Sequence, residues 1–460
     1  MRTLTRFAFL FVCLVAIEVR SDPLDDKIEA QLRNQNVPGC SLAVVRDGKI
    51  EKVKGYGLAD VELNVPATEH SVYQLASITK QFTAAAILVL VHEGKLSLDD
   101  PVSRHYPNAP QAWNPVTVRH LLTHTSGIRS YTNLPGFQQN VRKDYQPHEL
   151  IGLIADLPLD FAPGEKWDYS NTGYYLLGLV IEKVSGQSYA EFLAERILRP
   201  AGMETARLND QFDIIPHRAT GYDYRNNLLR RAEFVSPTQP YSAGALVGTV
   251  LDLAKWDAAL YSDKILPAEM RESMWSSVKL TGDQTADYGY GWQVGELRGR
   301  RYVAHGGGIN GFSTFFLRLV QDKLTVIVLA NGPGDPQRLA RLVASQFVPG
   351  LTLASIVPQC DSDPALSERL KQCLIELSEK KDSELLTPEF RENFRNSRRR
   401  YGVLQEDIKN MKSFTFVVSE EPSATQNKRL GTRIARLCSY KLRKPWNKVV
   451  DFSQRMQSRR

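Results

Sequence analysis

SITKQFTAAAILVLVHE, residues 77–93, is the longest apolar helical run of the chain. Apolar side chains recur there every three or four positions, so Ile78, Phe82, Ala85, Leu88 and Val89 are predicted to be buried. Ser77 and Lys80 stand three residues apart at its first turn, which makes them neighbours on one helix face. A serine hydroxyl is a weak nucleophile until a base takes its proton. A lysine serves as that base when a dry site lowers its pKa from about 10.4. Alone, the pair is also what a capped helix with an exposed lysine looks like.

Further helical patterns follow at 116–123, 148–157, 174–185 and 251–261, so the middle of the chain reads as an α-rich block. Strand patterns bracket it. CSLAVVRDGKIEKVKGYG, from Cys40, alternates on both sides of Asp47-Gly48, a pair that favours a tight hairpin, and DPLDDKIEAQLRNQN before it has helical spacing. Strands are predicted again at 288–296, 301–305, 312–319 and 323–330, followed by the helical PQRLARLVASQF. One antiparallel sheet satisfies this order if the late strands pair with the early hairpin and the helical block is an insertion beside it. The fold class is thus α/β, an antiparallel sheet flanked by helices, with a cleft between sheet and insertion where ligand sites concentrate.

Two further elements belong to that cleft. Tyr169-Ser170-Asn171 precedes a helix. A phenol beside a lysine can shuttle a proton, and the Asn171 amide can hold both Lys80 and a substrate carbonyl. His305-Gly306-Gly307-Gly308 ends the strand RRYVAH, and glycines there let another backbone or a ligand approach closely. The Gly308 N–H is then placed to form an oxyanion hole with that of Ser77. Read singly, these are a polar helix cap and a glycine-rich turn with a structural histidine.

Together, SITK, YSN and HGG in this order resemble the active-site motifs of the serine β-lactamase-related family: class C β-lactamases, DD-peptidases, D-aminopeptidases and carboxylesterases. GYGLAD at Gly55, GKLSLDDPV at Gly94, TVRHLLTHTSGI at Thr117, YSAGALVGTVLDLAKW at Tyr241 and HGGGINGF at His305 extend the likeness over about residues 24–348. The resemblance implies a β-lactamase/transpeptidase-like fold with Ser77 acylated, Lys80 its base and Tyr169 the proton relay. Asn171, His305, Gly307 and Gly308 would contact substrate, without a cofactor or metal. Class C β-lactamases carry lysine at the position of His305, whereas the related peptidases and esterases often carry histidine. The pair His124 and Ser126 is not read as catalytic, because the segment resembles a structural turn and the chain has no GxSxG elbow.

The chain has 460 residues, beyond the roughly 250–300 at which one core stops growing. Two units and a leader are expected: a signal peptide at 1–21, a serine hydrolase domain at 22–350 and a small basic α+β region at 351–460. MRTLTR followed by the apolar FAFLFVCLVAI is too short to span a bilayer and reads as a secretory signal, placing the protein outside the cell or in the periplasm. Five cysteines include Cys13 in that leader; Cys360 and Cys373 could close a small loop in an oxidising compartment. The net charge of +7 lies in the tail, where residues 351–460 hold 22 Lys+Arg against 14 Asp+Glu. The basic runs Arg398–Arg400 and Lys441–Lys448 read as a solvated face, with contact to an acidic polymer such as a cell-wall glycan, or to a membrane surface, as the alternative. No feature points to nucleic acid, and no metal-binding spacing occurs. The expected function is hydrolysis of a small ester, amide or D-amino-acid peptide through an acyl-enzyme. The alternatives are a class C-like β-lactamase and a non-catalytic protein that uses the penicillin-binding fold to grip cell wall or a partner.

Overall fold

Asp47 and Gly48 both take left-handed backbone angles, φ 49° and 73°, the combination that closes a two-residue hairpin. They join β1 (Gly39–Arg46) to β2 (Lys49–Asp60), after helix α1 (Pro23–Asn34). The computed structural model describes residues 22–282, 284–351, 364–379, 411–420, 435–442 and 447–451. The leader, Cys360 with its suggested bridge, and Arg398–Arg400 lie outside the described residues.

After a short β3 (Val65–Pro66) the chain leaves the sheet for the helical block, which contains α2 (Thr79–His92), α3 (Asn171–Ser185) and α4 (Val250–Ala259). It returns as β4 (Gln293–Leu297), β5 (Arg300–Ile309), β6 (Phe312–Leu319) and β7 (Leu324–Ala330), and α5 (Pro336–Phe347) follows. The seven-stranded sheet has the order β4-β5-β6-β7-β1-β2-β3. Every pairing in it is antiparallel. The late β7 lies against the early β1, Val44 opposite Val326 and Ala43 opposite Ile327, as the bracketed order of strands demands.

Alternation along the strands splits the core in two. Leu42, Val44, Val326 and Val328 face α1 and α5, meeting Ile28, Leu32, Leu339 and Val343. Ala43, Val45, Ile327 and Leu329 face the helical block, where Phe82 and Trp256 pack. Every residue of α2 from Thr79 to Leu90 is buried, so this helix has protein on every side. Each fully buried Leu, Ile or Phe there contributes about 1.5–3 kcal/mol.

Two boundaries differ from the sequence pattern. Strand structure expected at 288–296 begins only at Gln293, because Gly291 takes φ 77° and packs on α2: a Cβ there would lie 2.6 Å from the Lys80 carbonyl oxygen. The strand expected at 301–305 instead runs on through the glycines to Ile309. In the C-terminal region the described residues form a helix (Pro364–Ser378) and a three-stranded antiparallel sheet of 411–420, 435–442 and 447–451, an α+β arrangement.

Candidate active site

Residues Ala76–Ile78 form a 3-10 turn at the head of α2, so Ser77 sits one turn ahead of the α-helix that holds Lys80. Ala76 is left-handed at φ 49°, a conformation costing an L-residue about 1–2 kcal/mol. Its neighbours enforce it. Thr314 Oγ1 donates to the Leu75 carbonyl at 2.9 Å, the Leu75 N–H donates to the Leu246 carbonyl at 2.8 Å, and the Leu246 N–H donates to Thr79 Oγ1 at 3.1 Å. This clamp ties the turn to β6 and to the strand after Tyr241–Gly244, leaving Ser77 partly exposed at its tip.

Lys80 Nζ lies 3.2 Å from Ser77 Oγ, 2.9 Å from Asn171 Oδ1 and 2.7 Å from the Ala243 carbonyl oxygen. The lysine is 0% exposed, and burial holds its amine well below the ordinary lysine range. A neutral amine has two N–H bonds and one lone pair. With Asn171 and Ala243 taking the two hydrogens, the lone pair is turned on the Ser77 hydroxyl. Tyr169 donates its own hydroxyl to Ser77 Oγ at 2.9 Å, and burial pushes that phenol upward, so it is protonated at rest. The Tyr169 and Tyr174 rings lie 4.8 and 5.4 Å from Nζ, positioned to stabilise an ammonium once Lys80 takes a proton.

Asn171 is aimed by groups that the motif reading did not include. Its Nδ2 donates to Thr132 Oγ1 at 3.2 Å and its backbone N–H to Ser130 Oγ at 3.0 Å; the two hydroxyls are 2.8 Å apart. Both follow the HTSG turn directly in sequence, which was the available signal. His124 in that turn is 1% exposed. It accepts the Ser170 N–H and packs its ring 4.3 Å from that of Tyr169.

The glycine strand meets the turn as well. A Cβ on Gly307 would fall 2.3 Å from the Leu75 carbonyl oxygen and 2.2 Å from Thr314 Oγ1, so only glycine lets β5 approach this closely. Gly308 is exposed beside it. His305 was expected to line the cleft, but its ring is 2% exposed. Nδ1 lies 2.7 Å from the Gly306 carbonyl and Nε2 lies 2.8 Å from the Tyr288 hydroxyl. Burial, with Lys80 nearby, lowers it to about 3. The imidazole is therefore neutral and occupied rather than free to meet a substrate carboxylate. Among the described residues no cluster of His, Cys, Asp or Glu is arranged to hold a metal ion.

Beyond the glycines, a hairpin of Tyr222–Arg225 and Leu228–Arg231 turns through Asn226 and Asn227, both at positive φ. Gly221 and Ala232 at its base press on Gly311, at the β5–β6 turn.

A family model described as Beta-lactamase matches residues 24–346. The chain is 35% identical over 316 residues to Penicillin-binding protein 4* of Bacillus subtilis, covering 65% of this chain and 69% of that protein. Among solved structures it is similar to the octameric penicillin-binding protein homologue from Pyrococcus abyssi, with 28% identity and a TM-score of 0.63 over 93% of this chain and 89% of that one. It is also similar to a D-stereospecific amidohydrolase from Streptomyces sp., with 28% identity and a TM-score of 0.59 over 70% of this chain and 97% of that one.

Proposed function

The chain belongs to the beta-lactamase family and is a serine hydrolase; from that premise we propose that it cleaves a small ester, amide or D-amino-acid peptide through an acyl-enzyme on Ser77. One observation carries this reading: the buried Lys80 amine lies 3.2 Å from Ser77 Oγ while Asn171 Oδ1 and the Ala243 carbonyl oxygen, at 2.9 and 2.7 Å, stand ready to take its two hydrogens. In the proposed reaction Ser77 passes its proton to Lys80 as Oγ attacks the carbonyl carbon. The N–H groups of Ser77 and Gly308 hold the oxyanion. On collapse the bond to the leaving group breaks, Tyr169 gives that group its proton, and the Lys80 ammonium reprotonates the phenolate. Water then attacks the acyl-enzyme, its proton drawn off through Tyr169 and Lys80, and Ser77 is regenerated.

The similarity to a D-stereospecific amidohydrolase favours amide and peptide substrates with D-configured residues over β-lactams. Histidine rather than lysine at position 305 supports the same ranking. Export to the periplasm or the exterior belongs to the reading through the leader at 1–21. No described helix is long and apolar enough to cross a membrane. The basic C-terminal region is read as a solvated face, with cell-wall contact as the alternative.

The test is intact-protein mass spectrometry of the chain and of Ser77→Ala after treatment with a fluorophosphonate and, separately, a penicillin. A fluorophosphonate adduct on the unaltered chain alone supports the activated serine. A long-lived penicillin adduct favours the peptidase end, and rapid penicillin turnover favours a β-lactamase. No adduct on folded protein sinks the nucleophile assignment and leaves the non-catalytic reading.

A further inference from the structure

We infer that Tyr288 is a positioning residue for acylation: through His305 it holds the edge of β5 that presents the Gly308 N–H to the reacting carbonyl. The inference rests on the reading of Ser77 as nucleophile and concerns a residue outside the three motifs.

The geometry fixes the direction of each bond. A carbonyl oxygen only accepts, so the proton shared with Gly306 at 2.7 Å sits on His305 Nδ1. Neutral imidazole then has an acceptor at Nε2, and the Tyr288 hydroxyl 2.8 Å away is its donor. The chain Tyr288 OH to Nε2, then Nδ1–H to the Gly306 carbonyl, selects one tautomer and pins the peptide that joins Gly306 to Gly307.

That peptide needs a restraint. Three consecutive glycines have wide backbone freedom. β4 pairs with Arg300–Ala304 only, so among the described residues the outer edge of β5 has no strand neighbour from His305 onward. On its inner edge Gly307 and Gly308 are paired with Thr314 and Ser313, and Gly307 rests against Leu75. The His305 ring supplies a further hold, through the Gly306 carbonyl.

Tyr288 is itself held. It is 1% exposed, its carbonyl accepts the Val278 N–H at 2.9 Å, and its ring packs 4.7 Å from that of His124 and 5.8 Å from that of Trp167. His124 also carries Tyr169, so one buried aromatic layer touches both the proton relay and the glycine strand. The titratable groups that face His305 are Tyr288, Tyr169, Lys80 and His124. A proton on His305 would oppose the ammonium that Lys80 forms during attack. The Tyr288 hydroxyl, by donating to Nε2, reserves that nitrogen as an acceptor.

The test compares wild type with Tyr288→Phe, which removes one oxygen. Expected are unchanged circular dichroism and fluorophosphonate labelling of Ser77 about tenfold slower, below the 10²–10³ that follows outright loss of an oxyanion donor. With p-nitrophenyl acetate, kcat falls about tenfold while KM stays within about twofold, the split expected when transition-state contacts alone are weakened. The acid limb of the labelling rate moves toward neutral pH as His305 gains the freedom to protonate. A variant with the wild-type rate and pH profile overturns the inference. A second reading needs no variant: ¹⁵N NMR of the wild type, with His305 assigned through His305→Gln, should show the proton on Nδ1 and no titration between about pH 5 and 8. The opposite tautomer, or titration near the ordinary pKa of about 6.5, also overturns it. Failure of the nucleophile reading looks different, since wild type itself then goes unlabelled.

Discussion

Thr314 Oγ1 donates to the Leu75 carbonyl at 2.9 Å, and that bond joins the strand bordering the glycines to the turn carrying Ser77. Both groups crowd the space above Gly307, where an added Cβ would meet them at 2.2 and 2.3 Å. Gly307→Ala should therefore push β5 off the Ser77 turn. The expected outcome is folded protein with a lower melting temperature and fluorophosphonate labelling slowed by about 10²-fold or more. Labelling at the wild-type rate would show that the strand can give way without cost to the site.

Lys80→Ala and Tyr169→Phe separate the two proton-handling groups. The first removes the base proposed for Ser77 and should slow labelling by about 10²–10⁴-fold, the usual contribution of a positioned base. The second keeps Lys80 in place. It should slow turnover of an amide more than labelling, because the phenol is assigned to the leaving group. Equal losses on both readouts would assign Tyr169 to activation of Ser77 instead. In wild type the Lys80 amine is held well below its ordinary range, so labelling should be flat through the alkaline range and fall on the acid side as Lys80 protonates. A rate still climbing at about pH 10 would mean an unshifted lysine.

His305 should contribute to acid stability. Its pKa is lowered to about 3 in the fold, while in the unfolded chain it titrates near about 6.5. Below 6.5 the unfolded state binds a proton that the folded state refuses, so stability is lost as pH falls from about 6.5 toward about 3. Melting curves across that window should drop more steeply for wild type than for His305→Gln, which has nothing to titrate there. Parallel curves would show that the loss comes from other groups.

Arg318 on β6 and Asp257 on α4 form an ion pair at 3.1 Å with side chains 3% and 0% exposed. Thr325 adds a hydrogen bond of 2.6 Å to the same carboxylate oxygen, and the guanidinium lies 4.2 Å from the Tyr261 ring and 4.8 Å from the Trp275 ring. Arg318→Met leaves a buried carboxylate uncompensated and should cost about 3–5 kcal/mol in denaturant unfolding. Combining it with Asp257→Leu should recover most of that. A single variant within about 1 kcal/mol of wild type would mean that solvent reaches the pair.

Much of the site could be read from the chain because its parts are local. The spacing of Ser77 and Lys80 makes them meet on any helix, and Asp47-Gly48 closes a hairpin by its own backbone preferences. The paired sheet followed from strands lying at both ends of a helical middle. Long-range packing hid the rest. Nothing near His305 in sequence says that Tyr288 covers it, so its burial is not legible there. The run 288–296 alternates like a strand, yet Gly291 bends to clear the Lys80 carbonyl, a contact between distant segments. Ser130 and Thr132 were passed over because a hydroxyl that orients an amide carries no pattern of its own.

The pairing of β1 with β7 also bears on when this molecule can begin to work. Cys40 lies opposite Ala330, so the central pair of the sheet cannot form during synthesis until residue 330 has been made. Until then the hairpin of β5 and β6 has no β7 through which to join β1 and complete the sheet face that the helical block packs against. Contacts of such long sequence separation fold slowly. A ribosome-bound fragment carrying every helix of the insertion would thus hold Ser77 and Lys80 without a formed site. For a chain proposed to leave the cell by export, that delay keeps the polypeptide threadable and silent until it is whole.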